Sequence, residues 1–85
     1  MYAVIWMDAA LDALADAYVA ADLSERDALE KAVLRINAQL ASDPIAFGES
    51  RPGKRRIGFD KPCAIYYVVN DPSEGVVRVT FFWTY

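Results

Sequence analysis

The sequence predicts an α+β domain in which a helical hairpin packs on a mostly antiparallel four-stranded sheet, in the order β-α-α-β-β-β. A short β-branched and aromatic segment opens the chain, two stretches of helical periodicity follow it, and the last third alternates aromatic, aliphatic and basic residues between turn signals. With 85 residues, of which 55% are hydrophobic and 25% charged, there is room for one domain with one core, residues 1–85.

Tyr2-Ala3-Val4-Ile5-Trp6 is apolar at both parities, which predicts a central strand covered on both faces. Asp8 stands at an N-cap position ahead of Leu11, Leu14 and Tyr18, predicting a first helix over residues 8–21. Ser24 and Asp27 form a capping-box pattern before Leu29, Val33, Ile36 and Leu40, predicting a second helix over residues 24–42 that stops ahead of Pro44. Asp27 and Lys31 lie one turn apart in the favourable order. The connection between the helices is short, so they form an antiparallel hairpin. Residues 43–53 hold two prolines and two glycines without periodicity and read as the loop crossing from helices to sheet. Strands are expected over residues 54–59, 63–70 and 76–84, with turns at 60–62 and 70–75.

Composition removes several classes of chemistry. The chain has no histidine, which excludes His-dependent triads and HExxH-type zinc sites. Cys63 is the only cysteine, so no intrachain disulfide forms, and in an apolar strand it reads as a small core residue. Asp8, Asp12 and Asp16 share one helix face, but without a facing ligand cluster they read as a helix start and a solvated stripe; no metal and no cofactor are expected. No apolar run approaches the ~18 residues of a membrane span and no signal-like segment opens the chain, so a soluble cytoplasmic protein is expected. The net charge of −3 conceals a split: residues 1–50 carry nine acidic and three basic side chains, residues 51–85 three acidic and six basic. A general nucleic-acid binder is disfavoured, yet the basic half can meet a polyanion locally, and the acidic helical half can serve as an interaction face.

The order of elements and three strings carry a resemblance. YAVIWMDAALDAL, GESRPGKRRIGFDKPCAIYYVVND and VVRVTFFWTY resemble the first strand and helix, the loop with its basic and following strands, and the last strand of the RelE/ParE superfamily. These are toxins of bacterial type II toxin–antitoxin systems, plasmid-stabilization modules among them. The resemblance spans essentially the whole chain through short, degenerate motifs. It implies a toxin neutralised by a cognate antitoxin protein, as a homodimer or a toxin–antitoxin hetero-oligomer. It leaves three activities open: a metal-independent, ribosome-dependent mRNA endonuclease (an mRNA interferase), a ParE-like DNA gyrase inhibitor without nuclease activity, or an inactive toxin-like interaction domain.

Strand parity names candidates. If residues 54–59 are extended, Arg55, Ile57 and Phe59 face the helices while Lys54 and Arg56 point the other way. In the last strand Val77, Val79, Phe81 and Trp83 share one face, and Arg78, Thr80, Phe82 and Thr84 the other. Arg56 and Arg78 then occupy one open sheet face. A guanidinium stays ionised and bonds phosphate oxygens in pairs, so the resemblance makes Arg56 and Arg78 the candidate phosphate-binding and transition-state residues. It makes Tyr85 a candidate for proton transfer and Lys54, Arg55, Arg51 and Lys61 candidate RNA-positioning charges. The competing reading is ordinary: arginine on a solvated sheet face keeps a domain in solution, and a strand-end tyrosine packs on its neighbours. Tyr66 and Tyr67 point to opposite faces, and one of them could stack a base. Exposed aromatics on the last strand would suit an antitoxin segment. The chain lacks the basic residues that active nucleases carry after the last strand, and its acidity departs from the usual balance of these toxins. Gyrase poisoning needs no catalytic constellation and so stands beside RNA cleavage.

Overall fold

The computed structural model describes residues 1–70 and 72–85. Its elements are β1 (Ala3–Trp6), α1 (Asp8–Ala20), α2 (Leu23–Ser42), α3 (Pro44–Phe47), β2 (Glu49–Ser50), β3 (Arg55–Asp60), β4 (Cys63–Val68) and β5 (Val76–Thr84). The strands form one five-stranded mixed sheet in the order β1-β5-β4-β3-β2, with β1 parallel to β5 and the remaining neighbours antiparallel. Two strand expectations are corrected here. β1 is an edge strand, with Val4 and Trp6 half-buried against the core and Ala3 and Ile5 exposed on the other face. The second apolar parity, Ala3 and Ile5, lines a bare face and not a second layer. The fifth strand, β2, is too short to show any periodicity inside the 43–53 segment.

The helices begin where their caps dictate. Asp22, not Ser24, starts α2: its carboxylate accepts from the Glu25 amide at 2.8 Å while the Glu25 carboxylate accepts from the Asp22 amide at 2.9 Å. The reciprocal box satisfies two otherwise orphaned donors. Met7, not Asp8, is the N-cap of α1, which puts the Asp8 charge in the first helical turn. At the other end Arg26 donates to the Tyr18 and Val19 carbonyls and so closes α1 from the following helix. Lys31 meets Asp27 at 2.9 Å, but both side chains are more than 60% exposed, so the pair contributes only a few tenths of a kcal/mol.

Leu29, Ala32, Ile36 and Leu40 of α2, with Ala10 of α1, pack on Cys63, Ile65, Tyr67, Val77, Val79 and Phe82 of the sheet. Polar groups entering this layer are paired, with the exception among the described residues of Arg56 Nε, which is buried without a partner. The Trp6 indole donates to Asn37 Oδ1 at 2.8 Å and the Tyr67 hydroxyl to the Pro44 carbonyl at 2.6 Å. Arg35 forms a fork onto Asp60, joining α2 to β3. Cys63 is fully buried, and burial, with the nearby Asp60 charge adding to it, pushes its thiol up to about 11. At neutral pH it is a protonated core group and no nucleophile. Among the described residues no helix is long and apolar enough to cross a membrane.

One irregularity decides which side chains reach the open face. Tyr66 pairs with Phe81 but Tyr67 pairs with Val79, so Thr80 is an extra residue in a β-bulge. Val77 and Val79 face the core before the bulge and Phe82 faces it afterwards. Phe81 and Trp83 therefore join Arg78 on the open face, where simple alternation had placed them opposite it. The expected parity of β3 is also reversed. Arg56 and Gly58 are in register with Tyr67 and Ile65 on the helical side, while Arg55, Ile57 and Phe59 lie with Val68, Tyr66 and Ala64 on the open side. The cause is α3, whose Phe47 occupies the space above Gly58 and packs 6.1 Å from Tyr67. Lys54 adopts φ 63° in the turn that also holds Gly53, so β3 starts at Arg55. The turn expected over residues 70–75 includes position 71, which lies outside the described residues; a single 3₁₀ turn spans Pro72–Glu74 and leads to Gly75 at φ 68°.

Candidate functional site

The open sheet face concentrates what can meet a ligand. Directly paired residues share a face, so its rows read Ile5, Arg78, Val68, Arg55; then Phe81, Tyr66, Ile57 and, on β2, the exposed Glu49; then Trp83, Ala64, Phe59. Arg55 and Arg78 flank Val68 at about 10 Å between backbones, two strand spacings. The Arg55 guanidinium sits 4.7 Å from the Tyr66 ring centroid, Tyr66 lies 5.0 Å from Trp83, and Trp83 lies 6.4 Å from Phe81. Farther along, Phe59 meets the Tyr85 ring edge-on at 5.6 Å, with the Lys61 ammonium 5.8 Å from that ring. Phe59, Phe81 and Tyr85 are each about half exposed, at 51%, 45% and 54%, so the rings form a surface and not a buried layer. The result is an aromatic tray with cations at both ends.

The expected catalytic set does not converge on this tray. Arg56 points to the opposite face, where it donates to the Ile45 and Gly48 carbonyls, each at 2.7 Å, and to Ser50 Oγ at 3.0 Å. These bonds clamp the α3–β2 segment through Nη1 and Nη2, while the buried Nε has no partner among the described residues. Tyr85 follows the far end of β5, seven residues beyond Arg78, a separation of about 20 Å along an extended strand. Its amide donates to the Pro62 carbonyl, which pins it beside Lys61. Among the positioning candidates, Arg55 is on the open face and exposed Lys54 precedes it; Arg51 is held in the turn by Glu49 at 3.3 Å and by the Ser50 carbonyl. Of the expected catalytic residues, Arg78 and Tyr85 lie at opposite ends of the tray and Arg56 lies off it.

Chemically the tray can grip. Offset aromatic rings accept bases or apolar side chains, and the flanking guanidiniums, ionised at any physiological pH, hold phosphate or carboxylate. Sequence reasoning missed Tyr66, Phe81 and Trp83 as a cluster because the bulge that gathers them has no signature beyond an unbroken β-branched and aromatic run. Asp8, Asp12 and Asp16 are exposed on α1, and among the described residues no three His, Cys, Asp or Glu side chains are grouped to hold a metal.

A helical hairpin laid on one face of a mixed sheet, with the first strand parallel to the last, is a ParE-like α+β fold. A solved structure described as the chromosomal ParDE TA system from P. aeruginosa matches over 99% of this chain and 96% of that one, with a TM-score of 0.70 and 15% sequence identity. No protein-family model matches the chain, and no curated protein matches it in sequence.

Proposed function

We propose that the chain is the toxin of a bacterial type II toxin–antitoxin pair, and that it acts as a ParE-like inhibitor by gripping its target through the open sheet face, without cleaving RNA. The observation that carries this reading is the dispersal of the expected nuclease groups: Arg56 is tied to backbone carbonyls on the far face, and Tyr85 is about 20 Å along the strand from Arg78. Metal-free cleavage needs charge stabilisation and proton transfer at one phosphate, within hydrogen-bond reach of each other. A binding activity needs only the tray. The fold likeness to a ParDE system chain supports the toxin role and a cognate antitoxin as partner. On this reading Arg55 and Arg78 are the target-binding cations, with Tyr66, Phe81 and Trp83 as the contact surface.

The test pairs two assays on the purified chain. DNA gyrase supercoiling is expected to fall with added protein, while mRNA on translating ribosomes keeps intact ends. Ribosome-dependent cleavage that disappears in Arg78→Ala would overturn the binding reading in favour of the endonuclease.

A further inference from the structure

The helical layer carries a second surface that the sheet face does not explain. On their outward sides α1 and α2 diverge to leave a groove of about 700 Å³, walled by Leu11, Leu14 and Val19 of α1 and by Leu29, Val33 and Leu34 of α2. Leu11 is 47% exposed, Leu34 69% and Val19 76%, and no other described element covers them. A contiguous apolar surface of this kind on a small domain marks a contact site.

Charge around the groove selects the occupant. Asp12 and Asp16 follow Leu11 and Ala15 along α1, and Glu30 stands in the groove wall, accepting from the Tyr18 hydroxyl at 2.9 Å. Among the described residues none of these three carboxylates has a cationic partner. Lys31 is neutralised by Asp27, and Arg26, 5.0 Å from the Tyr18 ring centroid and bonded to the Tyr18 and Val19 carbonyls, sets one positive charge at the end of the groove against these three negative ones, so the rim stays acidic. An apolar trough with an acidic rim is complementary to a helix bearing one apolar stripe flanked by lysine or arginine. A second copy of the chain is the wrong occupant, because it would bring Asp12, Asp16 and Glu30 against their own equivalents. The groove runs along α1 from Leu11 to Val19, a length of about 13 Å, or two to three turns of a docked helix.

We propose that the α1–α2 groove is a docking site for a cationic amphipathic helix of a partner protein. The site is on the face of the molecule opposite the aromatic tray and stands whether or not the chain is a toxin.

The probe is a labelled 14-residue Leu/Lys amphipathic peptide, titrated by fluorescence anisotropy against the full chain, beside a scrambled peptide of the same composition and a Leu/Glu counterpart. The Leu/Lys helix is expected to bind, with the two controls at least about tenfold weaker, and its affinity to fall as salt is raised. Val19→Gln with Leu34→Gln, exposed positions that leave the core untouched, and separately Asp12→Lys with Asp16→Lys, should each weaken it by about tenfold or more while the circular dichroism stays unchanged. Absence of binding, equal binding of the scrambled peptide, or binding indifferent to both variants would overturn the proposal. So would a concentration-dependent dimer that the Val19→Gln, Leu34→Gln variant dissolves, which would assign the groove to a second copy.

Discussion

Arg56→Ala is expected to lower unfolding free energy by about 2–4 kcal/mol, a fall of roughly 10–20 °C in Tm for a domain of this size. Three charge-assisted hydrogen bonds end on this guanidinium, and two of the acceptors are backbone carbonyls of the α3–β2 segment. Removing the fork frees the Ile45 and Gly48 carbonyls and loosens the α3 segment whose Phe47 packs on Gly58 and Tyr67. Arg56→Lys restores the charge but not the planar fork, so it should recover part of the loss. Arg78→Ala in the same urea and thermal melts should change stability by no more than about 1 kcal/mol, as a half-exposed side chain on the open face. An Arg56→Ala chain that melts like the parent yet loses biological activity would return Arg56 to the functional site.

Gly48→Ala is expected to cost a further large share of stability, about 2–4 kcal/mol, for a reason of space alone. The backbone there is extended, at φ −118°, which any residue adopts. An added Cβ, however, would stand 2.5 Å from the Ile57 carbonyl oxygen and 2.5 Å from the Tyr67 hydroxyl. The carbonyl belongs to a strand paired with β2, and the hydroxyl is held by its buried bond to Pro44, so neither can give way cheaply. Gly53 supplies the control: it needs its positive φ of 80° but has nothing within 4 Å of a Cβ, so Gly53→Ala should cost only the backbone penalty of about 1–2 kcal/mol. Thermal melts of the two variants beside Gly48→Ala in a Tyr67→Phe background check the argument, since removing the hydroxyl relieves one of the two collisions. A Gly48→Ala chain as stable as its parent would contradict the packing described for α3.

Much of the architecture is legible in the sequence because periodicity survives folding. The stripe of Leu29, Ile36 and Leu40 is buried as its spacing requires, and Tyr66 and Tyr67 do take opposite faces. The helical hairpin and the order of the main strands follow from such patterns. What was not legible depends on contacts remote in sequence. β1 reads as central because its outward Ile5 is as apolar as its inward Val4, and no local pattern tells a bare sheet face from a covered one. The parallel pairing of β1 with β5 is a property of the finished sheet. The bulge at Thr80 adds one residue and thereby turns Phe81 and Trp83 outward, and a four-residue helix packed on Gly58 places Arg56 on the side opposite to the expected one. The candidate site was therefore half read: Arg78 is on the open face, Arg55 takes the position given to Arg56, and the aromatic tray emerges only from the register.

The central claim is that the open sheet face is the surface through which the chain acts, and viable counts after tightly controlled induction in a bacterial host test it most directly. The unsubstituted chain is compared with an Arg55→Glu, Arg78→Glu variant that reverses both tray cations and leaves Arg56 and the core in place. The account predicts growth arrest by the first and near-normal growth with the second at equal amounts of folded protein. Equal arrest by both, or no arrest by either, would contradict it.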